Sequence, residues 1–157
     1  MSRRPISMDG YKSLMQELKF LKEAERPKIT REIEAARAHG DLSENAEYHA
    51  AKEKQGYIEA KIKDLESRLS MAEIIDPSTL TRDRVVFGAK VHLLNLDTDE
   101  EENYQLVGPD ESDLEQKKIS VFSPLGDALL GKKVDDVATV HAPRGIIEYE
   151  ILDILFD

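Results

Sequence analysis

The 157 residues include no cysteine, which excludes a disulfide scaffold, a thiolate zinc site and a thiol nucleophile. The net charge of −10 is uneven: residues 1–76 carry 14 Lys and Arg against 15 Asp and Glu, and residues 77–157 carry 8 against 17. The acidic second half repels phosphates, so any contact with nucleic acid is expected from the first half. Arg3 and Arg4 precede no apolar stretch of a secretory signal, and no apolar run approaches the roughly 18 residues of a membrane span. The chain is expected to be cytoplasmic, with no membrane partner.

Chain order begins with a helix from about Ser7, its N-cap, to His39. Tyr11, Leu14, Leu18 and Leu21 recur at three- and four-residue steps, and Ile29, Ile33 and Ala36 resume the stripe. Pro27 lies inside the pattern without an N–H to donate, and is expected to kink or interrupt it. A second helix, running to about Ala72, carries Tyr48, Ala51, Gln55, Ile58, Ile62, Leu65, Leu69 and Ala72 on the same alternation. Two such seams with a short connection predict an antiparallel coiled coil over residues 1–76, each arm about 45 Å long at 1.5 Å per residue.

The connection spans Gly40 to His49. Gly40 can end a helix in the left-handed conformation, and Asp41 and Ser43 favour a turn or an N-cap. Asp41 and Glu44 have two readings. As Asp-x-x-Glu they form a capping box. As an acidic tip they offer oxygen donors suited to Mg²⁺, too few for a site of their own but sufficient if another protein supplies the rest. His39 and His49 flank the tip at a spacing that does not place two ligands on one helix face, so surface or packing roles are expected.

Asp76-Pro77-Ser78 ends the second arm. The period then changes, and 85–87, 90–96, 103–107, 118–122, 137–141 and 146–156 read as strands. Residues 97–102 are an acidic turn, and 143–145 form another. Ser123-Pro124 to Leu130-Gly131 reads as a short capped helix. Residues 77–157 are thus predicted to form a compact domain on a mostly antiparallel sheet, making the chain α+β with two domains.

Residues 37–56, Arg-Ala-His-Gly-Asp-Leu-Ser-Glu-Asn-Ala-Glu-Tyr-His-Ala-Ala-Lys-Glu-Lys-Gln-Gly, carry a specific resemblance. Glu25-Arg26-Pro27, Ile62-Lys63-Asp64, Val107-Gly108, Ile119-Ser120, Ser123-Pro124 and Leu130-Gly131-Lys132 extend it over nearly the whole chain. The sequence resembles the Gre family of bacterial transcript cleavage factors, of the GreA type. The resemblance implies an FKBP-like second domain that docks at the rim of the RNA polymerase secondary channel, and a hairpin that enters the channel. It implies further that the tip stimulates the polymerase's own cleavage of backtracked RNA, so that the chain is not itself an enzyme. Asp41 and Glu44 would help retain an Mg²⁺ held jointly with the polymerase, the only cofactor implied. Arg31, Arg37 and Lys52 are the candidates for contact with the RNA 3′ segment, and each is equally an ordinary exposed coil charge.

Two other classes fit parts of the sequence. An FKBP-like domain invites a prolyl isomerase reading, but the second half has no Trp and few aromatics to line such a pocket. A channel-occupying inhibitor of polymerase would share the architecture, and the intact Asp41 and Glu44 argue against it.

Overall fold

The computed structural model describes residues 3–40 and 45–156, which divide into two compact units. One comprises residues 11–71. The other combines the first ten residues with 72–157, so packing assigns both ends of the expected 1–76 segment to the sheet-bearing unit.

The hairpin unit is built from α1 (Met8–Phe20), α2 (Arg26–Arg37) and α3 (Ala46–Met71). Ser7 caps α1, accepting the Gly10 N–H at 3.0 Å. Between α1 and α2, Leu21–Glu25 form a π-turn, closed by the Arg26 N–H donating to the Leu21 carbonyl. This is the interruption expected at Pro27, which occupies the first turn of α2. Its ring and missing N–H disfavour the ordinary bond to residue 23, and the wider turn reaches one residue further. The seam explains the rest. Leu21 to Ile29 is eight residues, one more than a heptad, and a π-turn absorbs one extra residue. Leu18 and Leu21 therefore pack on the same cluster as Ile29, Ile33, Ala51, Ile58 and Ile62. At the edge of the seam, Arg26 donates twice to Glu59, both bonds at 2.8 Å. That hydrogen bonding holds the Glu59 carboxyl below its ordinary range.

In the other unit, β3 (Lys90–Asn95), β4 (Glu101–Val107), β5 (Lys118–Ser120), β6 (Val137–Ala142) and β7 (Gly145–Leu155) form one sheet in the order β5-β4-β3-β7-β6. Only the β4–β5 pair is parallel. Alternating Val91, Leu93, Leu106, Ile151 and Tyr149 face a core closed by Leu129 of α4 (Pro124–Leu129). Ser123 caps α4 through the Gly126 N–H at 3.1 Å. Residues 85–87 do not form the expected strand. Val85 instead pairs by backbone with Lys132 and Gly131, at 2.8 and 2.9 Å, and buries its side chain.

A second, two-stranded sheet was not apparent from the sequence. β1 (Arg4–Ile6) and β2 (Ala72–Ile74) pair in parallel, with Ile6 fully buried. A strap of side-chain bonds holds β1 to the 108–111 loop. Arg4 donates to both oxygens of Asp110 at 3.0 Å. The Glu111 carboxylate accepts from the Gly108 N–H at 3.1 Å and from the Ser7 N–H at 3.2 Å. Ser7 Oγ also donates to Glu111. A carboxylate from a distant loop thus does for α1 what the acid of a capping box does locally.

Candidate functional site

The end of the hairpin is organised from α2 outward. Ala36 is the last buried residue of α2, and the helix closes with the Ala38 N–H on the Glu34 carbonyl at 3.2 Å. Gly40 follows at φ +105°, a conformation that a side chain would strain. Its own N–H still reaches the Arg37 carbonyl, at 3.2 Å.

On the returning arm, Asn45 caps α3. Its Oδ1 accepts the Tyr48 N–H at 3.1 Å, and its Nδ2 donates to the Ala36 carbonyl of the other arm at 2.7 Å. The capping-box reading started the second helix at Asp41, whereas α3 starts at Ala46 and is capped by Asn45. Asp41 and Glu44, the expected acids, lie outside the described residues.

Tyr48 is half-buried and packs on the hairpin cluster. The Arg37 guanidinium lies 6.0 Å from the centre of its ring, within cation–π range. The His49 ring meets Tyr48 edge-on at 5.6 Å. His39 Nδ1 lies 3.8 Å from a Glu47 carboxylate oxygen, a further contact between the arms. Both histidines thus have polar or aromatic neighbours at the surface.

The three expected RNA-contacting cations are all exposed. Arg31 and Arg37 are six residues apart on α2, which turns them about 120° from each other around the helix. Lys52, on α3, donates to Gln55 at 3.2 Å. They line the tip-proximal half of the hairpin without forming one basic patch. Asn45 is the residue that sequence reasoning passed over. The available signal was an Asn directly before a helical run, since Asn is among the strongest N-cap residues.

This arrangement defines a class: a helical hairpin with a polar, tied-down end, joined to a small sheet unit. Family models match both parts: "Transcription elongation factor, N-terminal" over residues 4–74 and "Transcription elongation factor, GreA/GreB, C-term" over residues 80–156. Transcription elongation factor GreA of Psychrobacter arcticus is 51% identical, with 100% of both chains covered. That of Thermodesulfovibrio yellowstonii is 50% identical, covering 99% of this chain and 98% of its own. Among solved structures, the GreA factor homolog 1 of Thermus thermophilus is 30% identical at a TM-score of 0.45, covering 98% of this chain and 99% of its own. The chain belongs to the GreA/GreB family of transcription elongation factors.

Proposed function

We propose that this chain acts on RNA polymerase by inserting its hairpin end into the secondary channel and stimulating the polymerase's own endonucleolytic cleavage of backtracked nascent RNA. Arrested complexes would then resume from a new 3′ end. The observation that carries this reading is full-length identity of about half to relatives named transcription elongation factor GreA. In this reading the factor is not the nuclease, and the sheet-bearing unit docks at the channel rim.

Asp41 and Glu44 supply carboxylate oxygens, the donor type that Mg²⁺ prefers, and the polymerase supplies the remaining ligands. Beside a second metal ion held by the polymerase, that Mg²⁺ would stabilise the attacking and leaving oxygens of an in-line displacement. Arg31 and Lys52 present cations that can neutralise RNA phosphates. Arg37 would have to leave the Tyr48 ring, or reach RNA from above it.

The test is cleavage of RNA in stalled polymerase complexes. Asp41→Asn and Glu44→Gln, singly and together, are expected to keep polymerase binding and to lower stimulated cleavage by about 10²-fold or more, as removal of a metal-holding charge does. Wild-type cleavage by the double variant would end the metal-holding assignment. Binding without cleavage by the unaltered chain would instead favour an inhibitor that occupies the channel.

A further inference from the structure

We infer that Asn45 is a positioning residue for the tip, tying the outgoing and returning arms together at the end of the hairpin. The inference rests on the proposed cleavage-stimulating role. An N-cap needs only a side-chain acceptor, and Asp, Ser and Asn are nearly equivalent there. Asn45 uses its acceptor on Tyr48, at 3.1 Å, and also uses its amide donor on the Ala36 carbonyl, at 2.7 Å. An ionised carboxylate cannot make the second bond, and Ser has one hydroxyl on a shorter side chain, without the separate donor and acceptor atoms by which Asn45 reaches both arms.

The two anchors are well chosen. Ala36 is 4% exposed and belongs to the packed seam of α2. Its carbonyl also receives the His39 N–H at 3.2 Å, so Asn45 joins the closing turn of that helix. Tyr48 in turn packs on the hairpin cluster and lies within cation–π range of Arg37. One side chain therefore links the closing turn of α2 to the first turn of α3, across nine residues. The two acids of the tip lie between those anchors in sequence. Misplacement of about 1 Å at a reacting centre can cost 10²-fold in rate.

Asn45→Asp and Asn45→Ser separate the two bonds, since both keep an N-cap acceptor and remove the link to Ala36. Both variants are expected to melt close to wild type and to bind polymerase with unchanged affinity. Their maximal stimulated cleavage at saturating factor should fall by about tenfold or more. In Asn45→Ser, half-maximal cleavage should also require more Mg²⁺, a shift that simple loss of helix stability would not produce. Wild-type maximal rate and Mg²⁺ dependence in both variants would overturn the inference, while loss confined to the Asp41 and Glu44 variants would leave the proposed function standing. Should the unaltered chain not stimulate cleavage, amide hydrogen exchange decides the tie itself. Exchange over residues 38–49 should accelerate about fivefold or more in Asn45→Ser, and unchanged exchange refutes the tie.

Discussion

Gly108→Ala tests the strap that holds the N-terminal strand. A Cβ at Gly108 would fall 1.8 Å from the Pro5 carbonyl oxygen. Ordinary contacts open near about 3.5 Å, so β1 must retreat by roughly 1.5–2 Å. Gly108 does not have positive φ, so the methyl group itself is the only source of strain. A retreat of that size takes the Arg4–Asp110 bonds, both 3.0 Å, and the Ser7–Glu111 bonds out of hydrogen-bonding range. The Asp110 side chain is 1% exposed and Arg4 30% exposed, and giving up the two hydrogen bonds of this charged pair costs about 2–3 kcal/mol. For a unit of about a hundred residues, that loss lowers the melting temperature by about 10 °C or more. Calorimetry of the full chain should show the drop in the sheet-bearing unit and leave the hairpin transition in place. A shift below about 2 °C would mean that the strap contributes little and that the clash relaxes without breaking it.

Two further outcomes follow from the fold. In a Pro27→Ala background, deleting Ala24 from the π-turn restores a seven-residue seam step and should cost under about 1 kcal/mol, whereas deleting Glu32 separates Ile29 from Ile33 in phase and should cost about 2–5 kcal/mol; equal losses in thermal melts monitored by helix ellipticity would refute the phase argument. Burial, then the Glu102 carboxylate that accepts its hydroxyl at 3.1 Å, push the Tyr104 phenol up to about 12. A raised phenol favours the folded state below the unfolded value near 10 and loses that contribution as pH rises toward 12. Ultraviolet titration should therefore show a late-ionising tyrosine that Tyr104→Phe removes, and a titration identical in the two proteins would refute the assignment.

The hairpin was legible because its evidence is repeated. Leu14, Leu18, Ile29, Ile33, Ile58 and Ile62 restate one seam many times, and errors at single positions do not erase it. Even the π-turn is written in the eight-residue step from Leu21 to Ile29. The sheet strands from Lys90 onward were legible by alternation. Val85 to Phe87 were misread because a buried apolar triplet looks the same in a strand and in a loop paired to another loop. β1 and β2 were invisible for a different reason. Three residues carry no period, and Arg4-Pro5-Ile6 pairs with Ala72-Glu73-Ile74 only through tertiary contacts such as Arg4–Asp110. At the tip, the residue types were legible but the choice of cap was not. Asp41, Ser43 and Asn45 are all good N-caps, and the Ala36 carbonyl across the turn favours the one that can also donate.

The strap also bears on how the protein is made. β1 and β2 are neighbouring parallel strands, and parallel strands need a long crossover, which here is the entire hairpin. During synthesis the hairpin can pack as soon as α3 leaves the ribosome, because the seam residues Leu18, Leu21, Ile29, Ile33, Tyr48, Ala51, Ile58 and Ile62 all lie on its own arms. Strand β1, made first, has its pairing partner only after residue 74 and its carboxylate anchors only after Asp110 and Glu111. The N-terminal segment thus waits through most of translation, and the sheet-bearing unit closes over the oldest part of the chain last.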